Sequence, residues 1–93
     1  MPGLSPIARR KLKARAHALE PILHLGGNGL SEAVIAEIGH ALDAHELIKV
    51  RAGGMERDER EAALAEICAR LHAQPVQHIG KVLVVYRKKP ESS

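Results

Sequence analysis

Apolar positions along the chain recur at two spacings, one helical and one alternating. Ala8, Leu12, Ala16 and Leu19 share one face of a first helix, with Arg9, Arg10 and Lys13 on its other side. Ser5-Pro6 reads as an N-cap followed by proline at the first helical position, and Pro21 ends the segment. Ile22 to Leu25 is a short strand. Leu30 and Ile35 then stand at the N′ and N4 positions of a hydrophobic staple around an N-cap at Ser31. The second helix runs to about His45 and buries Val34, Ile35, Ile38, Ala41 and Leu42. Leu47 to Arg51 alternates, with Ile48 and Val50 facing one way and Leu47, Lys49 and Arg51 the other. Gly53-Gly54 breaks this strand. A third helix begins near Arg57 or Asp58 and buries Leu64, Ile67, Cys68 and Leu71. Its exposed side holds Glu59, Arg60, Glu61, Glu66 and Arg70, and Pro75 stops it. Val76 to Ile79, Gly80 and Lys81 to Arg87 form a hairpin whose second strand, Val82-Leu83-Val84-Val85, is apolar on both faces and therefore central or well covered.

The order α-β-α-β-α-β-β fixes the fold class. Two right-handed crossovers set the first three strands parallel, and the hairpin adds one antiparallel strand. The expectation is an α/β, two-layer fold: a four-stranded mixed sheet with three helices largely on one side. Its 93 residues make one domain, residues 1–93, ordered over about 4–87 with a disordered basic tail at 88–93. Apolar residues are 45% of the chain but include no Trp or Phe and only Tyr86, so the core is aliphatic. A single cysteine, Cys68, excludes an internal disulfide and fits a reducing compartment. No signal-peptide pattern and no apolar run of membrane-spanning length occur, which predicts a cytoplasmic, soluble chain.

Charge changes the picture through its distribution. Lys and Arg total 14 against 11 acids, a mild excess of +3. Residues 1–17, however, carry Arg9, Arg10, Lys11, Lys13 and Arg15 with no acid, and Arg87, Lys88 and Lys89 close the chain. The acids sit in the middle, so one face can carry a positive field. Gly26-Gly27-Asn28-Gly29 lies between the first strand and the second helix. Such a corner offers backbone N–H groups at the positive end of a helix dipole, and in a basic chain the matching anion is a phosphate. The same glycines would also serve simply to make a tight turn. Glu32, a carboxylate in the first turn, would repel a phosphate unless it points aside.

Several segments in order resemble the CRM domain, the RNA-binding module of YhbY-type bacterial proteins and of plant organelle intron-splicing factors. They are the basic first helix, Leu25-Gly26-Gly27-Asn28-Gly29-Leu30-Ser31-Glu32, the helix from Val34 to Leu42, His45-Glu46-Leu47-Ile48-Lys49-Val50, Val76-Gln77-His78-Ile79-Gly80-Lys81 and Val85-Tyr86-Arg87. The resemblance covers about Leu4 to Arg87. It implies a fold similar to the C-terminal domain of translation initiation factor three and RNA contact through the GxxG loop and adjacent basic surface. For single-domain bacterial members it implies association with ribosomal RNA in the precursor large subunit. Ala52-Gly53-Gly54 departs from the more polar sequence common after the second strand.

The expected RNA-binding residues are Gly26, Gly27, Asn28, Gly29, Arg9, Arg10, Lys13, Lys49, Arg51, Lys81 and Arg87. On the first helix the bland alternative is a solvated face, although without interleaved acids no i,i+4 pairing accounts for the run. For Lys49 and Arg51 the alternative is charge protection of an edge strand. Without aromatic platforms, binding is expected to follow backbone and shape, so structured RNA is the expected target. Cys68 and His72 lie one helical turn apart, but two ligands do not make a zinc site, and no metal or cofactor is expected. No G-x-S-x-G, P-loop or H-E-x-x-H occurs, so the chain is not expected to be an enzyme. A monomer is expected. The alternative function is a protein-interaction module on the ribosome or another ribonucleoprotein, docking through acidic helix faces.

Overall fold

A computed structural model describes residues 4–26 and 29–89 of the chain. The elements run α1 (Pro6–Ala16), β1 (Pro21–His24), α2 (Glu32–His45), β2 (Leu47–Arg51), α3 (Arg57–Leu71), β3 (Gln74–Ile79) and β4 (Val82–Tyr86). The sheet order is β1-β2-β4-β3. β1 pairs parallel to β2, and β4 pairs antiparallel to both β2 and β3. β2 and β3 therefore point the same way without touching, and the hairpin returns β4 into the gap between them. That central place accounts for the two-sided apolar character of β4, in which Leu83, Val84 and Val85 are fully buried.

Both crossovers, β1-α2-β2 and β2-α3-β3, move in the same direction across the sheet. Right-handedness then puts α2 and α3 on one face. There Ile35, Ile38, Leu42, Leu64 and Ile67 pack on Ile48, Val50, Leu83 and Val85. Residues such as Ile38, Leu42 and Ile67, each with 0% exposure, contribute about 1.5–3 kcal/mol apiece. The two-layer expectation is corrected at α1. Leu12 and Ala16 pack on Leu47, Val76 and Val84, which point to the opposite face. α1 precedes β1 and is part of no crossover, so handedness does not constrain it. It adds a partial third layer where that face is apolar.

Ser5 caps α1, with its Oγ accepting from the Ala8 N–H at 3.1 Å. α1 stops at Ala16, short of the expected stripe, and Leu19 is exposed. α3 ends at Leu71, with His72 in the left-handed conformation (φ 54°), so Pro75 does not stop it. Pro75 instead lies within β3, an edge strand, in register with Val85 and beside an irregularity between Pro75 and Gln77, a setting in which a strand tolerates proline. Of the expected disordered tail, Lys89 is tied to the fold, its N–H donating to Glu46 Oε2 at 2.8 Å, and residues 90–93 lie outside the described residues.

The third layer makes a stability prediction. Leu12→Ala and Val84→Ala should couple in a double-mutant cycle by about 0.5 kcal/mol or more, whereas Leu12→Ala and Ile67→Ala should add within about 0.5 kcal/mol. Urea unfolding of the single and double variants measures both terms. Coupling of Leu12 to Ile67 instead would place α1 on the other face.

Candidate nucleic-acid interface

β1 delivers the chain to Leu25, whose N–H donates to Arg51 O at 2.6 Å, so the glycine corner starts at the carboxyl end of β2. Gly26 is exposed, and a Cβ built on it meets nothing within 4 Å. Gly27 and Asn28 lie outside the described residues. The Gly29 N–H donates to Gly26 O at 3.2 Å, and Gly29 has φ +75°. Positive φ makes glycine a conformational requirement at 29 but not at 26. The Gly29 amide is occupied inside the turn, which removes it from the expected set of donors.

Ser31 caps α2 through Oγ, which accepts from the Val34 N–H at 3.1 Å. The first intrahelical bond runs from Ile35 N–H to Ser31 O. The Glu32 and Ala33 amides precede it and have no intrahelical acceptor, so they define the positive end of the helix. Glu32 does point aside. Both its carboxylate oxygens lie 2.7 Å from Arg70 Nη2 on α3, and Arg70 also approaches Glu66 at 3.7 Å. The hydrogen bond and charge of Glu32 hold the Arg70 guanidinium pKa above its ordinary value. The first-turn carboxylate is thus matched by a cation 38 residues away.

The cations divide into those that join the corner and those that do not. Arg51, the last residue of β2, is in register with His24 of β1, and both side chains lie on the face away from α2 and α3. Arg51 Nε and Lys81 Cδ come within 4.0 and 3.9 Å of a Cβ built at Gly53, so both flank the loop after β2. The Ala52 N–H donates to Lys81 O at 2.7 Å and ties that loop to the hairpin turn. Lys49 is on the same face, with Nζ donating to Leu19 O at 3.1 Å. With Lys13 and His17 of α1 it lines a groove of about 250 Å³.

Arg10 is exposed. Arg9 is half-buried beside Leu12 and Ala16, with its Nε buried and without a hydrogen-bond partner, so it flanks the packed side of α1 rather than opposing it. Lys11 and Arg15 line a separate cleft with Leu4, Ala8 and Tyr86. A basic run of this length wraps around a helix at 100° per residue and cannot form one face.

Arg87 does not join the face of Lys49 and Arg51, and that expectation is corrected. Its guanidinium donates to Leu71 O (2.9 Å) and Gly39 O (3.1 Å) and pairs with Asp43 at 2.6 Å, locking β4 to the ends of α2 and α3. It shares the side-chain direction of Leu83 and Val85.

His24, His17 and Gln77 belong to the cationic face but were not among the expected site residues. Alternation in β1 placed His24 opposite Leu23. Helical spacing placed His17 one turn after Lys13. Gln77 had no such signal, because the β3 irregularity resets its direction. Cys68 is buried, and burial pushes its thiol up to about 11, so it stays protonated at neutral pH. Among the described residues, no three His, Cys, Asp or Glu side chains group to hold a metal.

These features define a small α/β module with an exposed strand–glycine–helix corner and cationic side chains at the same end of its sheet. The chain belongs to the CRS1/YhbY (CRM) domain family, whose model matches residues 4–87. It is 47% identical over 89 residues to a protein of Pseudomonas aeruginosa named a probable RNA-binding protein, covering 96% of this chain and 86% of the relative. It is 45% identical over 92 residues to a Haemophilus influenzae protein named an RNA-binding protein, covering 99% and 93%. Its fold is similar to the solution structure of a Staphylococcus aureus protein described as a candidate RNA binder, with a TM-score of 0.83, 30% identity and coverage of 97% and 94%.

The two described glycines of the corner should behave differently. Gly29→Ala should cost about 1–2 kcal/mol because it forces an L-residue to positive φ, whereas Gly26→Ala should leave folding within about 0.5 kcal/mol. Urea denaturation of both variants is the measurement. Equal losses would show that residue 26 is as conformationally required as residue 29.

Proposed function

We propose that this protein binds structured RNA through its sugar–phosphate backbone, using the Gly26-Gly27-Asn28-Gly29 corner and the adjoining cations, and that it acts in assembly of the large ribosomal subunit in the cytoplasm. One observation carries the reading: Arg51 and Lys81 flank the loop at the sheet end that holds the corner, with Lys49 two residues back on the same strand face, while Glu32, the carboxylate nearest the helix start, is turned toward Arg70. A phosphate approaching the α2 N-terminus therefore meets main-chain N–H groups, the helix dipole and flanking cations. The names of the P. aeruginosa and H. influenzae relatives support RNA as the partner. The role is binding rather than catalysis. Among the described residues no helix is long and apolar enough to cross a membrane.

Ribosomal RNA of a precursor large subunit suits this chemistry. Such an RNA is folded and presents dense phosphates, and an assembly factor must leave afterwards. Contacts made by charge and main chain, without base-stacking aromatics, give a reversible, salt-dependent grip. The protein is proposed to act as a monomer, with no cofactor or metal.

Binding to a structured fragment of large-subunit ribosomal RNA tests the reading. Four phosphate contacts, from Lys13, Lys49, Arg51 and Lys81, should give a log–log salt slope of about −3 to −4. Arg51→Gln with Lys81→Gln should flatten it by about 1.4–1.8. Gly27→Asp with Asn28→Asp should weaken binding at every salt concentration while leaving the melting temperature unchanged. Wild-type affinity in the loop variant would remove the corner from the interface, and a salt-independent affinity would remove the phosphates.

A further inference from the structure

We propose, on the basis of that reading, that the groove between α1 and the outer end of the sheet receives one unpaired nucleotide, so that the RNA gripped by this protein carries a bulged or extruded residue beside the clamped backbone. The groove is bounded by Lys13 and His17 of α1, Lys49 of β2, Gln77 and Ile79 of β3 and Val82 of β4. α1 ends at Ala16 and covers only the Leu47–Val76–Val84 end of this face, which leaves the other end open.

Three properties specify the occupant. The first is charge: Lys13 and Lys49 stand in the wall with His17, and among the described residues no carboxylate lines the groove. Lys49 is held in place by its bond to Leu19 O, and an ammonium has further N–H groups to direct at an anion. The second is an apolar surface in the midst of that charge. Ile79 is 57% exposed and Val82 is half-buried beside it, a flat aliphatic floor on which a base can lie. The third is Gln77, half-buried in the same wall, whose amide supplies a donor and an acceptor side by side, the pattern that pairs with a base edge. A phosphate, a base plane and a base edge are the features that one nucleotide presents together.

Size and position agree. At about 250 Å³ the groove lies below the range of about 300–1,000 Å³ typical of larger ligands, and it is too small for a helix. It lies on the face of the sheet, where β2 and β4 are already paired on both sides, and the free edge of β3 directs its backbone outward in the plane of the sheet rather than into the groove, so the groove offers no backbone to an added peptide strand. Lys49 precedes Arg51 by two residues on the same strand face, about 7 Å along the strand. A backbone held at Arg51 and the glycine corner thus continues directly over the groove. A base paired in a duplex cannot enter, because an RNA helix turns its bases inward.

Two hairpin RNAs with the same stem test this, one fully paired and one with a single bulged 2-aminopurine. The wild-type protein should bind the bulged hairpin more tightly by about fivefold, the order expected from burying about 40 Å² of apolar surface on an aliphatic floor, with a change in probe fluorescence. Gln77→Ala with Ile79→Ala should abolish that preference while leaving affinity for the paired hairpin within about twofold. Both residues are partly exposed on an edge strand, and an unchanged melting temperature confirms that the variant folds. Binding of both hairpins with equal affinity, or a preference that survives the double variant, overturns the groove assignment alone. Binding to neither hairpin overturns the RNA reading with it. A dimer in sedimentation that Ile79→Ala dissolves would give the groove to a second copy and also overturn the assignment.

Discussion

Side chains of residues 47–51 alternate between two faces of the sheet, and fold and site both rest on that alternation. Ile48 and Val50, at 1% and 0% exposure, anchor the layer built from α2 and α3. Lys49 and Arg51 therefore must project from the opposite face. A strand with period two cannot move one set without moving the other. The register with β1 puts His24 beside Arg51, and the register with β4 puts Val82 beside it on the other side. The backbone positions from which the cationic side chains project are thus fixed by the core, because they are the reverse side of the same strand.

Around that strand, the corner is built by local rules and corrected by distant ones. The Leu25 bond to Arg51 O fixes where β1 stops, Gly29 supplies the positive φ, and Ser31 starts the helix. None of this settles whether an anion would be welcome, since Glu32 sits in the first turn. The answer comes from Arg70, at the far end of α3, which draws the carboxylate away. Exposed ion pairs of this kind add little to stability. This one matters for what it removes from the mouth of the corner.

Much of this was legible in the sequence. β2 and α2 were found at their bounds because their periodicities are clean and Ser31 is a strong cap. The two-sided run in β4 announced a central strand. What could not be read depends on contacts between segments far apart in the chain. The face chosen by α1 is free of any crossover rule, so only the apolar patch of Leu47, Val76 and Val84 decides it. Arg87 looks like another surface cation, yet Gly39 O, 48 residues away, Leu71 O and Asp43 claim it. Pro75 reads as a stop but is tolerated within an edge strand. Gln77 turns toward the cationic face only because of the irregularity beside Pro75. The CRM resemblance implies the fold and the corner, while only the tertiary contacts sort the cations that accompany it.

The central claim is that main-chain amides at the start of α2, together with the Lys49–Arg51 face, contact RNA. Titrating isotopically labelled protein with a structured ribosomal RNA fragment, and following backbone amide chemical shifts, tests it most directly. The account predicts that the largest changes fall on Gly26, Glu32 and Ala33 and on residues 49–53 and 79–81, with the exposed acidic side of α3 unmoved. Changes concentrated on Glu59, Glu61 and Glu66, with the corner silent, would contradict it.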